Sequence, residues 1–144
     1  MSLTEQLAHM ATGQVYDDLT PELIAARVDA VRATDEYNAS YGADPAERER
    51  LLRAVVGSAG AGAGFEPTFR CEFGRNIHLG ARFFANFDCV MLDGAPITVG
   101  DDVLLGPKVG LYTSNHSLDL RERCTGRARP GRSPWATASG SPPA

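Results

Sequence analysis

The sequence predicts a mainly β protein in which a coil of short parallel strands follows a small helical segment. Between residues 66 and 116, apolar residues return at a spacing of six, as in Ile97, Val103 and Val109. An ordinary strand would repeat at two and a helix at 3.6. Before residue 57, by contrast, two stretches open with a capping residue and a proline and then follow the helical period. A fixed short repeat after such helices is typical of a capped solenoid.

Residues 1–57 are predicted to form three short helices. The first covers residues 4–12 and stops at Gly13, the second begins at the Thr20-Pro21 pair, and the third begins at Asp44-Pro45. The apolar residues expected to face the core are Leu7, Met10, Leu23, Ile24, Val28, Val31, Tyr37, Leu51, Leu52, Val55 and Val56. We expect this segment to cap the first coil, because the end of a stacked solenoid leaves strand edges unpaired.

Residues 58–65, SAGAGAGF, are expected to be a flexible joint between the helices and the coil. Glycine and alanine place few restrictions on the backbone and contribute little apolar surface. The stretch lacks the lysine and the serine or threonine of a phosphate-binding Walker loop, so no nucleotide site is predicted there.

Residues 66–126 are predicted to form an incomplete parallel β-helix. Each hexad would make one flat side of a triangular coil, with its first residue pointing inward and three hexads in each turn. The first residues of the hexads are Ile77, Phe83, Cys89, Ile97, Val103 and Val109. Gly80, Gly100 and Gly106 suit the corners, whereas the eight residues that begin at Cys89 break the phase.

Residues 127–144, RARPGRSPWATASGSPPA, contain no hexad and are predicted to be disordered. If the codons for GRSPWATASGSPPA are read with a displacement of one nucleotide, they can encode RPVTVGDGVWLAAG, which restores the repeat. We therefore expect a frameshift between Thr125 and Pro130. The segment would then be an out-of-frame tail on a C-terminally truncated chain.

Composition narrows the class of protein. The 144 residues are 43% hydrophobic with a net charge of −4, which suits one small domain and disfavours nucleic-acid binding. No run approaches the roughly 20 apolar residues that cross a bilayer, and the first ten residues do not resemble a secretory signal. Three cysteines without paired spacing favour buried free thiols over a disulfide or zinc site. We therefore expect a cytoplasmic protein with no membrane or nucleic-acid partner.

The stretch NIHLGARFFANFDCVMLDGAPITVGD, followed by YTSNHSLD, resembles the maltose and galactoside O-acetyltransferases, which are hexapeptide-repeat acyltransferases. The resemblance covers residues 5–126, and its most specific part is FFANFD with a histidine thirty residues after its asparagine. It implies a left-handed coil, a rare exception to the right-handed crossover rule that the spacing itself does not reveal. It also implies transfer of an acetyl group from acetyl-CoA to a sugar hydroxyl, of the maltose or glucose type, by a homotrimer with each site between two subunits.

The resemblance also implies roles for individual residues. His116 matches the catalytic base, which would deprotonate the acceptor hydroxyl in a ternary complex without an acyl-enzyme. Asn86 matches the asparagine beside the reacting centre and is the part of the coenzyme A site that this chain retains. The residues expected to bind the acceptor are Asp18, Glu72, Phe84, Asn86 and Asp93. Each also has a structural alternative: a surface histidine, a solenoid corner, a turn or solvated acid, or an aromatic residue of the core.

A second interpretation remains open. In the family, the amide that stabilises the oxyanion and most groups that bind coenzyme A lie on coils after the histidine loop, and their loss would impair catalysis and weaken the trimer. The alternative is therefore a non-catalytic β-helix fragment that binds sugar weakly or associates with full-length subunits. A zinc-dependent β-helix carbonic anhydrase would need three histidines, and His78 with His116 leaves that set incomplete, so no metal is predicted.

Overall fold

The computed structural model describes residues 1–130 together with 137 and 138. Its elements in chain order are α1 (Leu3–Ala11), β1 (Tyr16–Asp17), α2 (Pro21–Ala39), α3 (Pro45–Val55), β2 (Ser58–Ala59), β3 (Gly64–Phe65), β4 (Phe69–Cys71), β5 (Ile77–Leu79), β6 (Phe84–Ala85), β7 (Cys89–Leu92), β8 (Ile97–Val99), β9 (Leu104–Leu105), β10 (Gly110–Tyr112), β11 (Ser114–His116), α4 (Leu120–Cys124), β12 (Arg127–Pro130) and β13 (Thr137–Ala138). Three parallel sheets form the sides of a coil, and helices α2 and α3 lie against its first turn.

The three sides of the coil are the sheets β2-β5-β8-β13, β3-β6-β9 and β4-β7-β10. Each coil advances twenty residues, since Phe69 pairs with Cys89, Ile77 with Ile97 and Phe84 with Leu104. The prediction of three equal hexads per turn is therefore wrong by two residues. The eight-residue step recurs at the same corner of the first two coils, from Phe69 to Ile77 and from Cys89 to Ile97.

The six-residue step correctly predicts which side chains point inward. Ile77, Phe83, Cys89 and Ile97 have no solvent exposure, and Val103 is also buried. The last residue of the hexads adopts a left-handed backbone, as at Arg82 and Asp102 with φ of 56°. Where coils stack, close contact excludes side chains: a Cβ on Gly80 would lie 2.3 Å from the carbonyl carbon of Gly100.

The glycine-alanine stretch is part of the coil, which corrects the prediction of a flexible joint at residues 58–65. Within this stretch, β2 pairs with β5 and β3 pairs with β6, both in parallel. The small residues allow close stacking on the next coil, as a Cβ on Gly60 would lie 2.4 Å from the backbone nitrogen of Ala81. The β-helix therefore begins at Ser58 and not at Glu66.

The helices cap this first coil. The Tyr37 ring packs edge-on against Phe65, and its hydroxyl accepts a hydrogen bond from the Phe65 N–H at 2.9 Å. The Asn38 amide accepts from the Phe69 N–H at 2.9 Å and donates to the Phe69 carbonyl at 3.0 Å. Both backbone edges and apolar surface of the first coil are covered in this way, as the sequence predicts.

Helix α2 buries only part of the apolar stripe predicted for it, namely Leu23 and Tyr37. Ile24, Val28 and Val31 are 43–47% exposed, whereas Leu23, Ala30, Thr34 and Tyr37 are buried. The helix packs closely against β4 and α3, and small residues such as Ala30 allow this approach. The prediction is therefore correct for Leu23 and Tyr37 and wrong for the three aliphatic residues between them, because the close approach buries the small residues Ala30 and Thr34 instead.

The segment after residue 126 departs from the expectation of disorder in its described part. Strand β12 pairs antiparallel with β1 and with β11, and β13 pairs parallel with β8. Two partner strands satisfy the backbone groups of Arg127–Pro130, which makes a strand favourable despite the polar sequence. Residues 131–136 and 139–144 lie outside the described residues, so the expected frameshift remains a prediction.

Candidate active site

A cavity of about 310 Å³ opens where β1 and β11 meet the side of the coil. It is lined by Tyr16, Asp18, Glu72, Leu92, Ser114, Asn115, His116 and Ala128. Three of the residues predicted for the site, Asp18, Glu72 and His116, are thus brought together from the cap, the coil and the loop after it. Its size is at the lower end of the range of small-molecule pockets.

His116 is the last residue of β11, which leaves the coil after β10. The buried Thr113 fixes this exit: its hydroxyl accepts from the Ala95 N–H at 2.9 Å and lies 2.8 Å from the Leu92 carbonyl. His116 then pairs with Ala128 of β12. Within the described residues, the His116 ring has no hydrogen-bonding partner, and the residue is exposed at the cavity. The imidazole is therefore open to a ligand hydroxyl.

Asp18 and Glu72 are joined by Arg27, a residue that the sequence analysis missed. Arg27 Nε and Nη2 lie 3.2 and 2.9 Å from Glu72 Oε1, Nη1 donates to the Asp18 carbonyl at 2.8 Å, and Nη2 also contacts Asp18 Oδ1. Burial alone would lower the pKa of the Arg27 guanidinium, but Glu72 and Asp18 outweigh it and raise that pKa. An arginine on the buried face of α2 implies carboxylate partners. Because the prediction placed Ile24, Val28 and Val31 on that face, it did not identify Arg27 as partly buried.

Tyr16 and Ser114 complete the polar surroundings and were also missed. Burial, followed by the charges of Asp18 and Glu72, raises the pKa of the Tyr16 phenol, so the phenol stays protonated at neutral pH. The Ser114 hydroxyl donates to Glu72 Oε2. Nothing in the two-residue strand β1 distinguishes Tyr16 from an ordinary core aromatic, so only the fold reveals its position.

Asp93 does not line the cavity, in contrast to the acceptor-binding role expected for it. Its side chain is completely buried and accepts hydrogen bonds from the N–H groups of Phe73 at 2.8 Å, Glu72 at 3.1 Å and Asn76 at 3.2 Å. Burial raises the pKa of Asp93 although these amides oppose the shift. The carboxylate fixes the backbone of the turn that carries Glu72, so Asp93 stabilises one wall of the cavity without lining it.

Phe84 begins β6 and Asn86 directly follows that strand, on another side of the coil, and neither residue lines the cavity at His116. Phe84 is 37% exposed, and the Asn86 side-chain oxygen accepts from the Phe87 N–H at 2.9 Å. Two other apolar side chains of the same region, Phe87 and Leu104, are 52% and 75% exposed. A single copy of the chain therefore does not unite Asn86 with His116.

The two remaining histidines make local contacts. His9 Nε2 lies 3.1 Å from the Val15 carbonyl, and His78 Nδ1 lies 2.9 Å from the Ser58 hydroxyl. In residues 1–130 and 137–138, no three His, Cys, Asp or Glu side chains are grouped as metal ligands. None of the helices in this part of the chain is long and apolar enough to span a bilayer.

Known proteins share this architecture. The model of the maltose acetyltransferase hexapeptide capping motif matches residues 9–60. Nodulation protein L of Rhizobium leguminosarum bv. viciae is 38% identical over 136 residues, which cover 90% of this chain and 71% of that protein. A maltose O-acetyltransferase from Clostridium difficile 630 superposes with a TM-score of 0.82 at 34% identity, over 90% of this chain and 68% of that one. Galactoside acetyltransferase in complex with coenzyme A gives 0.78 at 29% identity, over 90% and 64%.

The cap and the hexapeptide coil are those of the hexapeptide-repeat acetyltransferase class, to which these relatives belong. The chain belongs to the maltose and galactoside O-acetyltransferase family. Its coil is accordingly the left-handed parallel β-helix of that family, preceded by a short helical cap, as predicted. The chain spans 60% to 71% of the length of four curated relatives that it matches.

Proposed function

We propose that this protein transfers the acetyl group of acetyl-CoA to a sugar hydroxyl, of the maltose or glucose type, with His116 as the general base. The observation that carries the proposal is the cavity that holds the open His116 imidazole beside Asp18 and Glu72. Carboxylates accept hydrogen bonds from sugar hydroxyls, and a histidine can take a proton at neutral pH. These two capacities serve to hold and to activate the sugar hydroxyl that would be acetylated.

In the proposed reaction, His116 removes the proton of the attacking sugar hydroxyl. That oxygen forms a bond to the acetyl carbonyl carbon, the bond from this carbon to the thioester sulfur breaks, and the proton leaves with the thiol. Asp18 and Glu72 would hold neighbouring hydroxyls, so that the attacking oxygen stays within hydrogen-bonding distance of the imidazole.

Asn86 and Phe84 would enter this site from a second copy of the chain. Both lie on the side of the coil where Phe84, Phe87 and Leu104 expose apolar surface, and such surface favours association. In a closed ring of three copies, this side of one coil would face the His116 cavity of the next. The Asn86 amide would then lie beside the acetyl group and the acceptor hydroxyl.

Acetyl-CoA as donor is supported by the relatives, one of which was solved with coenzyme A and another with acetyl coenzyme A. Of this chain's residues, Asn86 is the candidate for contacting the donor. Restoring the reading frame that the predicted frameshift interrupts would add coils with further donor contacts. Sequencing the gene tests this point: no open frame for additional hexads after Pro130 would contradict it.

The experiment is acetyl transfer from acetyl-CoA to maltose or glucose, followed as release of free thiol. The 144-residue chain, its His116→Ala variant and a chain with the shifted frame restored would be compared. We expect turnover in the restored chain, less in the 144-residue chain, and a loss of about 10²-fold or more in His116→Ala, because a positioned base contributes at least that much.

Thiol release that is unchanged in His116→Ala would contradict the role of the base. Sugar binding without turnover in every chain would favour the alternative, a non-catalytic β-helix that binds sugar or associates with other subunits. His78→Ala is the matched control, because His78 contacts Ser58 and lies outside the cavity.

A further inference from the structure

A series of hydrogen bonds joins the helical cap to the strand that carries His116. The Ser114 hydroxyl donates to Glu72 Oε2, and Arg27 donates to Glu72 Oε1 from Nε at 3.2 Å and from Nη2 at 2.9 Å. The same Nη2 contacts Asp18 Oδ1. Ser114 precedes His116 by two residues on β11. The two carboxylates of the cavity are thus linked to each other and to the strand of the base.

We propose that Arg27 is a positioning residue that holds Asp18 and Glu72 in the arrangement that receives the sugar beside His116. The inference rests on the proposed acceptor role of the cavity. Arg27 is absent from the residues that line the cavity, and its Nε, Nη1 and Nη2 atoms are directed to Asp18 and Glu72. It therefore acts through the carboxylates and not by contact with the acceptor.

The chemistry of the guanidinium explains why an arginine occupies this place. Two carboxylates in one small cavity repel each other, and a cation between them removes that repulsion. The planar guanidinium offers several donors in a fixed fork, which a lysine ammonium does not. The Phe73 ring lies 5.0 Å from the Arg27 guanidinium carbon and restricts the plane of the fork.

The opposite end of the series depends on Gly94. The Gly94 N–H donates to Ser114 Oγ at 3.1 Å, and a Cβ at this glycine would lie 2.3 Å from the same oxygen. A side chain at position 94 would therefore displace the hydroxyl from Glu72. The Gly94 turn and the Arg27 fork hold Glu72 from its two sides.

The test compares Arg27→Met and Arg27→Lys with Arg70→Met. Arg70 is a matched control because it also joins the coil to α2, through Asp35 at 2.7 Å, but lies outside the cavity. Kinetic constants would be measured for both substrates in a chain that turns over. For Arg27→Met we expect the acceptor KM to rise about tenfold or more, with the KM for acetyl-CoA nearly unchanged. Arg27→Lys should recover part of the loss, and Arg70→Met should change neither KM.

Hydrogen exchange supplies a readout that does not need turnover. Loss of Arg27 should speed exchange of the Tyr16–Leu19 amides in the 144-residue chain, because Asp18 loses its side-chain and carbonyl partner, whereas Arg70→Met should not. Unchanged exchange, or equal rises of both KM values, would overturn the proposal. If Arg27→Met does not fold, the test uses Arg27→Lys. An unchanged acceptor KM in this variant overturns the proposal, as does unchanged exchange where no chain turns over. Absence of turnover in every chain contradicts the proposed function. In that case hydrogen exchange alone tests the positioning role of Arg27.

Discussion

At the scale of single residues, burial determines which groups can react. Burial raises the pKa of the Cys89 thiol to about 12 and also raises that of Cys71, whereas Cys124 is exposed on α4. The two buried thiols are therefore almost entirely protonated at pH 8, and the thiolate is the reactive form. The sequence analysis predicts that all three cysteines are buried free thiols. The prediction is correct for Cys71 and Cys89 and wrong for Cys124, which is exposed.

Thiol labelling tests this difference. With a disulfide reagent at pH 8, we expect one of the three cysteines to react quickly in the folded protein and all three to react in denaturant. The Cys124→Ser variant should lose the fast reaction while its folded spectrum stays unchanged. Rapid reaction of two or more thiols in the native protein would show that the interior of the coil is open to solvent, which would contradict the burial of Cys71 and Cys89.

At the scale of elements, the hexad period proved a better guide than side-chain size. The period predicted the inward positions of Ile77, Phe83 and Ile97, because a coil with flat sides repeats its geometry regardless of the residue at each position. On α2 the larger apolar residues were chosen, yet close packing against β4 selected the face with Ala30. The same error hid Arg27, and no local signal marked Tyr16. What the sequence could not supply was the contact between distant elements.

Side chains of the coil point alternately inward and outward, so truncation to alanine should destabilise the protein far more at inward positions. Ile97 has no solvent exposure in the centre of the coil, whereas Leu104 on β9 is 75% exposed. We expect Ile97→Ala to lower the free energy of unfolding by about 2–5 kcal/mol, because it leaves a cavity. Leu104→Ala should change it by less than about 0.5 kcal/mol when measured on dissociated chains. Urea denaturation of both variants measures the difference, and equal losses would contradict the assignment of the inward face.

At the scale of the whole molecule, cap and coil form one unit with a divided functional surface. Tyr37, Leu52 and Val55 of the helices belong to the same core as Phe69 and Ile77 of the coil. The cavity with His116 and the side with Asn86 are nevertheless separate on one copy. We therefore expect a complete site to need two copies, each of which contributes one of these residues.

Coexpression of His116→Ala with Asn86→Ala tests most directly whether a complete site combines residues from two copies. In a ring with random assortment, about one quarter of the sites would combine an intact His116 with an intact Asn86 from the neighbouring copy. We predict that the mixed protein releases thiol from acetyl-CoA at about one quarter of the unsubstituted rate, while each variant alone, and His116→Ala mixed with the double variant, stays at background. A mixture that also stays at background, although the unsubstituted chain is active, would contradict a site shared between copies.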